Sequence, residues 1–290
     1  MNDSHEKKVT SDINVISVRD YGKDIKRRLE EVSVEEPIHI FVNKVHYASV
    51  FCTPSDQESL VVGNLMSEGL IHSLDEIARI SVEERGVFQV QLQQNIEVSK
   101  RIELSASFKR LILSSCGSAN LWPLPELVDR LSVPEVDDPT TFDSKMIIRG
   151  VTSLNKLATT YRRTHGVHAA ALYDNQGTLI AFAEDIGRHN AVDKVIGLRC
   201  SEGKLFGGTM LASTGRLTGD MVLKAARMRI PLVASMAVAI NSGIEIAEKT
   251  GVTLIGFVLG DRMTIYSFQE RIVYDKKGNC RPRLHIERGA

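Results

Sequence analysis

From Ser144 onward, apolar runs of strand length alternate with amphipathic runs of helix length, and no other property narrows the chain's folding choices so far. VHAAALYD and TLIAFA read as strands, NAVDKVIGLRC as a helix, TMLAS as a strand and LTGDMVLKAARMR as a helix. PLVAS, VTLIGFV and MTIYSF then read as strands, with INSGIEIAEKTG a helix among them. Elements alternating at this period pack as layers, with helices flanking a mixed sheet, so residues 144–290 are predicted as an α/β domain. Before the first strand, SKMIIRGVTSLNKLATTYRR sets Ile147, Val151, Leu154 and Ala158 at helical spacing, which predicts an amphipathic helix.

The first part of the chain has a different rhythm. PIHIFVNKVHYASVFC predicts a hairpin turning near Asn43 and Lys44. In TPSDQESLVVGNLMSEGLI, Ser55 and Glu58 have capping-box spacing, so a helix is predicted from about Asp56. FQVQLQQNIEV alternates apolar and polar residues as a half-buried strand does. Residues 16–110 are therefore predicted as a small α+β unit, preceded by a mobile arm at 1–15. Residues 111–143 hold four of the eight prolines and predict a long surface loop, with one short helix around 126–131. Loops of that length are uncommon unless functional or disordered.

Bulk chemistry excludes several classes. With 36 basic and 36 acidic residues there is no net field to draw nucleic acid or a membrane surface. No apolar run reaches the roughly 18 residues of a bilayer span, and MNDSHEKKVTSD lacks a signal-peptide core, so a cytoplasmic location is expected. The four cysteines, Cys52, Cys116, Cys200 and Cys280, are far apart and form no CxxC pair, which is neither a disulfide framework nor a zinc-ligand spacing. His168, in HAAA, lacks the glutamate two residues on that a zinc deaminase needs, so zinc hydrolysis is disfavoured and a hydrogen-bonded pocket or core role expected.

Three turns and one thiol remain as candidates. Cys116 sits in SSCGSAN, where small neighbours would leave its sulfur accessible as a nucleophile, the alternative being a small packed hydrophobe. STGRLTGD, at 213–220, joins a strand to a helix N-terminus and offers free N–H groups with Arg216 beside them, an anion site or an ordinary helix start. GFVLGDRMTIY turns at Gly260 and Asp261, with Arg262 on the rim, where ligands favour strand ends and where a plain hairpin would look alike. Most crowded is EDIGRHNAVDK, which brings Arg188, His189, Asn190, Asp193 and Lys194 to one strand-to-helix turn. That many polar heads exceeds what helix capping uses, and the set suits a ligand with phosphates and a polar heterocycle such as guanine.

EDIGRHNAVDK, with CTPSDQESLVVGNLMSEGLI, SSCG, GVHAAAL, TGRLTGDMVLKAAR and TLIGFVLGDRMTIY in the same order, resembles the formate dehydrogenase accessory sulfurtransferase family (FdhD/NarQ) over nearly the whole chain. The resemblance implies a cytidine-deaminase-like layered α/β domain without zinc beside the N-terminal α+β unit. It implies a cytoplasmic homodimer that takes persulfide sulfur from a cysteine desulfurase on Cys116. The sulfur would pass to the bis(molybdopterin guanine dinucleotide) molybdenum cofactor before that cofactor enters formate dehydrogenase. The family's cofactor-binding stretch falls on Phe257, Val258, Leu259, Gly260, Asp261 and Arg262. The chain departs from the family pattern at Ala119, where a second cysteine is usual, at residues 237–240 and at Thr264. A cofactor-delivering chaperone that moves no sulfur is the alternative.

Overall fold

A computed structural model describes residues 8–84, 86–94, 96, 101–102, 128–129 and 131–274. Strands β1 (Thr10–Arg19) and β2 (Asp24–Ser33) pair antiparallel as a two-stranded ribbon. Residues 10–15, expected in a mobile arm, therefore belong to β1. Strands β3 (Glu36–Val42), β4 (Val45–Cys52), β5 (Ile77–Glu84) and β6 (Val87–Leu92) form a second sheet in the order β4-β3-β6-β5. The predicted β3–β4 hairpin is present, and Asn43 and Lys44 both take the positive φ (47° and 68°) that matches a two-residue turn to strand twist.

One face of this sheet, through Ile38, Ile40, Val42, Phe88, Val90 and Leu92, packs on helix α1 (Gln57–Ser67). The helix starts where expected, but the Ser55–Glu58 capping box does not form. Asp56 is the N-cap residue, in a left-handed conformation and with no side-chain cap, while Ser55 Oγ lies 3.4 Å from Lys194 Nζ. A buried ammonium competes for the hydroxyl that the helix would otherwise use.

The larger layer follows. Strand β7 (Phe142–Asp143) leads into α2 (Ser144–Leu157), which Asp143 caps through Met146 N–H at 2.9 Å. The single helix expected here breaks at Ala158, and α3 (Thr159–Thr164) restarts beyond it. Then come β8 (His168–Asp174), β9 (Leu179–Asp185), α4 (Arg188–Ser201), β10 (Thr209–Ser213) and α5 (Gly219–Arg227). β11 (Leu232–Ser235), α6 (Asn241–Thr250), β12 (Thr253–Leu259), β13 (Arg262–Ile265) and the short β14 (Ile272–Val273), which pairs with β7, complete the chain. The six-stranded sheet has the order β13-β12-β11-β10-β8-β9, with β10, β11 and β12 parallel and β8 antiparallel to both its neighbours.

Strand alternation builds the layers. Ala169, Ala171 and Tyr173 of β8 face α2, whereas Ala170 and Leu172 face the side covered by α4, α5 and α6. Helix α4 is buried nearly all round, because α1 packs on the flank that the sheet leaves open. Where α1 and α4 cross, no side chain fits between them. A Cβ on Gly63 would lie 1.7 Å from Asp193 O, and one on Gly197 would lie 1.9 Å from Ser59 O. Among the described residues no helix is long and apolar enough to cross a membrane.

The glycine crossing gives a direct expectation. Gly197→Ala must push α1 off α4 and should cost at least about 3 kcal/mol, against the usual 1–3 for overpacking, because the clash is with backbone. Ser201→Ala, at the exposed end of the same helix, should stay within about 0.5 kcal/mol. Urea unfolding midpoints of the two variants test the difference.

Candidate functional site at the carboxyl edge of the sheet

Strands β9, β10, β11 and β12 all end on one edge, so the turns after Asp185, Ser213, Ser235 and Leu259 are neighbours. Hydrogen bonds lace them together. Ser235 Oγ reaches Ser213 O (2.9 Å) and Gly215 O (2.7 Å), and accepts from Ala237 N–H at 3.0 Å. Leu217 N–H donates to Val238 O, Ile240 N–H to Leu217 O, and Phe257 N–H to Ala237 O at 3.0, 3.0 and 2.8 Å. The three turns singled out from sequence thus share one edge. Helices α4, α5 and α6 begin there, and none is capped by the side chain of its own N-cap residue. The positive ends of three helix dipoles converge on the same surface, and in α5 Ser242 Oγ and Asp220 Oδ1 accept from Gly219 N–H and Met221 N–H.

Two residues of EDIGRHNAVDK face this edge. Arg188 lays its aliphatic stem over Gly215, where an added Cβ would lie 2.7 Å from Arg188 Cδ. Its Nε is buried with no partner, although the residue as a whole is only half-buried. His189 Nε2 lies 2.7 Å from Asp220 Oδ2. Burial pushes the Asp220 carboxyl up, but His189, the Thr218 hydroxyl and Met221 N–H outweigh it and hold the group well below the usual carboxylate range. His168, read as a pocket or core residue, is half-buried with Nδ1 3.1 Å from Thr214 Oγ1. Burial lowers its pKa, and Arg188 and His189 lower it further, so a neutral ring is favoured.

Around this centre the exposed residues are Arg216, Val238, Phe257, Leu259, Gly260, Asp261 and Arg262. Phe257 has φ 53°, a strained conformation for an aromatic residue, at a bulge that interrupts the β12–β13 register between Gly256 and Leu259. Gly260 has φ 64°, which the tight turn before Arg262 requires. Val258 departs from its expected role: its side chain is fully buried against Met210, Ile255 and their neighbours, so it offers a ligand only its backbone.

The remainder of the motif points elsewhere. Asp185 is fully buried and accepts from Thr53 N–H (3.0 Å), Gly187 N–H (2.9 Å), Asn190 Nδ2 (2.8 Å) and Lys194 Nζ (2.7 Å). Lys194, also fully buried, reaches Thr53 Oγ1 at 2.7 Å, and Asn190 Nδ2 donates to Phe51 O at 2.8 Å. Asp193 accepts from Asn64 Nδ2 (2.9 Å), Ser67 Oγ (2.6 Å) and Lys224 Nζ (2.9 Å), and Lys224 also meets Glu68 at 2.7 Å. Burial pulls the Lys224 pKa down, but Asp193 and Glu68 more than offset it, leaving the ammonium held above its ordinary value.

Asp193 and Lys194, expected to face a ligand, therefore spend their bonds inside the protein, and the donor nitrogen of Asn190 does likewise. The partners Thr53, Asn64, Ser67, Glu68 and Lys224 were not recognised from sequence as part of the motif's chemistry. The available signal was the i, i+3, i+4, i+7 spacing of Asn190, Asp193, Lys194 and Gly197, one helix face, facing Asn64, Ser67 and Glu68 on another helix. Cys116 lies outside the described residues.

Residues 33–273 match the FdhD/NarQ family. The chain belongs to that family. It is similar to the sulfur carrier protein FdhD of Thermoplasma acidophilum, 37% identical over 250 residues that span 84% of this chain and 87% of the relative. It is 34% identical over 249 residues to the sulfur carrier protein FdhD of Saccharolobus solfataricus, across 83% of this chain and 90% of the relative. A crystal structure of a candidate formate dehydrogenase accessory protein from Desulfotalea psychrophila superposes with a TM-score of 0.71 at 26% identity, covering 92% of this chain and 100% of that one. In this FdhD/NarQ chain, then, one continuous motif does two jobs: Asp185, Asn190, Asp193 and Lys194 join the two sheets, and Arg188 and His189 furnish the edge.

That division is measurable. Lys194→Met leaves Asp185 buried and without its cation, and should cost about 3–5 kcal/mol of unfolding free energy. Arg262→Gln, at an exposed position, should change it by less than about 0.5 kcal/mol. As the pH falls from 7, the contribution of Asp220 should hold down to the ordinary carboxylate pKa, where the unfolded chain begins to take up its proton, and be lost progressively from there to the depressed folded value. Midpoints for wild type and Asp220→Asn should therefore differ at pH 7, begin to converge near the ordinary carboxylate pKa and meet only in strong acid.

Proposed function

We propose that this chain is a sulfur carrier serving formate dehydrogenase, with Cys116 as the carrier thiol and the carboxyl edge of the six-stranded sheet as the cofactor's seat. The observation that carries the reading is the convergence of three helix N-termini with Arg188, Arg216 and Arg262 on one edge. Such an edge suits phosphates. The exposed Phe257 ring offers a stacking face and Asp261 a carboxylate for the amidine-like edge of guanine. The unpartnered Arg188 Nε is a buried donor for which an anionic ligand would supply the acceptor. These groups fit the bis(molybdopterin guanine dinucleotide) molybdenum cofactor as cargo.

The chemistry is persulfide exchange. The Cys116 thiolate attacks the terminal sulfur of a cysteine desulfurase persulfide, an S–S bond forms on Cys116, and the desulfurase cysteine leaves as thiolate. Sulfane sulfur moves between the two cysteines without net oxidation; handing it to the bound cofactor as sulfide takes two electrons, which an external thiol would supply by attacking the inner sulfur and forming a disulfide with Cys116. Chain length permits the visit. Thirteen residues lie between Ile102 and Cys116 and eleven between Cys116 and Val128, so the two stretches could span at most about 46 Å and about 40 Å at 3.3 Å per residue. A strand of this sheet is only about 20 Å long.

Sheet order, in which the antiparallel β9–β8 pair adjoins the parallel β10, β11 and β12, supports the deaminase-like layering that the family resemblance implies. The buried Cys200 is a free thiol, which fits a reducing, cytoplasmic setting. Burial raises the Cys200 thiol to about 11, which keeps it protonated and out of sulfur chemistry. Ala119, standing where a second cysteine is usual, favours one other reading: a chaperone that delivers the cofactor without moving sulfur.

Two measurements separate these. Mass spectrometry after incubation with a cysteine desulfurase and cysteine should show one added sulfur on the Cys116 peptide, and Cys116→Ala should abolish formate dehydrogenase maturation. An unmodified peptide with full maturation by the variant would favour the chaperone. Arg188→Gln and Arg262→Gln should each weaken guanine-nucleotide binding about tenfold to a hundredfold, the loss of one charge-assisted contact of about 1.5–3 kcal/mol.

A further inference from the structure

The β1–β2 ribbon leaves most of its surface in water. Ile13, Ile16, Val18, Ile25 and Leu29 are between 47% and 66% exposed, and Tyr21 at the tip is fully so. Anchorage to the body lies at the base, where Arg163 Nη1 meets Glu31 Oε1 at 2.9 Å and Ser33 Oγ meets Thr164 Oγ1 at 2.7 Å. A two-stranded hairpin is marginal in water and gains independent stability from a third strand or more. Among the described residues β2 pairs only with β1, so the outer edge of β2 presents unpaired backbone groups. Ten residues pair without a bulge and without proline, two of the devices that usually blunt such an edge.

Charge is the remaining device, and its order is informative. Residues 27–31 read Arg, Arg, Leu, Glu, Glu, a sequence whose signs invert about Leu29. A second copy laid antiparallel with Leu29 opposite itself brings Arg28 opposite the partner's Glu30 and Arg27 opposite the partner's Glu31, and the reverse. A parallel copy in register would set like charges face to face, which is destabilising. An edge guarded merely by charge would repel a second copy in either direction. This one repels in one direction and matches in the other.

We propose that the chain pairs with a second copy of itself through β2, antiparallel about a two-fold axis at Leu29, forming one four-stranded sheet from two ribbons. The contact is isologous and closes on itself, so it yields a dimer and not a filament. It gives the expected homodimer a specific interface and is independent of the sulfur chemistry.

Cross-linking tests the register. In the dimer the two residue-29 Cα atoms are about 4.5–5.5 Å apart, within disulfide reach. Leu29→Cys should therefore give, on mild oxidation, a covalent dimer whose peptide map joins residue 29 to residue 29. Ile25→Cys should give no 25–25 link, since those positions lie roughly 27 Å apart at 3.4 Å per residue. In sedimentation, Arg28→Glu and Glu30→Arg should each weaken the dimer at least tenfold, and an equal mixture of the two should restore it, with unfolding midpoints unchanged. A wild type that stays monomeric at high concentration overturns the homodimer and this interface together. A dimer that neither links at residue 29 nor responds to the charge reversals overturns the interface alone.

Discussion

Backbone touches backbone where α1 crosses α4, and the rest of the arrangement follows from that contact. Gly63 and Gly197 leave no side chain to hold the helices apart, so the polar groups around the crossing meet out of water. Buried charges are tolerated only when fully partnered, and here they are: Asp185 with Lys194 and Thr53, Asp193 with Lys224, Ser67 and Asn64. The two ion pairs lie within the six-stranded layer, and the hydrogen bonds from Thr53, Asn64 and Ser67 tie that layer to the β3–β6 unit. A one-turn slip of α1 along α4 would take Asn64 and Ser67 away from Asp193, so the seam specifies a single register. It thereby fixes where α4 begins, and with it the direction in which Arg188 and His189 project.

The edge those two residues reach is arranged at some cost to stability. An unpartnered buried donor such as Arg188 Nε typically costs about 1–3 kcal/mol, and a left-handed aromatic such as Phe257 a similar amount. Both lie beside helix N-termini whose N-cap residues supply no side-chain acceptor, although Ser242 and Asp220 serve the first turn of α5. A surface built only for stability would pair the guanidinium and relax the Phe257 backbone. An anion at this edge would supply the acceptor that Arg188 Nε lacks. The neutral ring favoured at His168 fits this balance, because a third adjacent cation would add repulsion without adding reach.

The α/β layer was legible because its strands are buried on both faces and read as unbroken apolar runs, as TMLAS and TLIGFVL do, each closed by glycine or serine. The three candidate turns were legible for a related reason: each follows an apolar strand-length run and carries glycine and arginine. The allocation of EDIGRHNAVDK was not legible. Composition records how many polar heads a segment carries but not which way they point, and the partners that draw Asp193 inward, Asn64 and Ser67, stand more than 120 residues earlier. The capping box at Ser55 failed for the same reason, since Lys194 is 139 residues away. The β1–β2 ribbon went unread because its apolar residues sit in water and give no one-sided pattern to detect.

The anchoring of the chain on the C-terminal side of Cys116 gives the edge a further constraint. Arg271 holds the returning segment through Val136 O (3.0 Å) and Asp138 O (2.8 Å), while Val136 N–H donates to Thr250 O at 2.8 Å. Thr250 ends α6 and precedes β12, so this anchor stands at the amino edge of the sheet, opposite the cluster of arginines. Before the cysteine, Arg101 binds Leu70 O at 3.0 Å and pairs with Glu76, fixing the other stem. The described chain on the C-terminal side of Cys116 is therefore anchored away from the arginines. For the carrier proposed above such an anchor is an advantage: a group bound permanently against its acceptor could not also meet a donor protein, whereas a fixed stem keeps the search short.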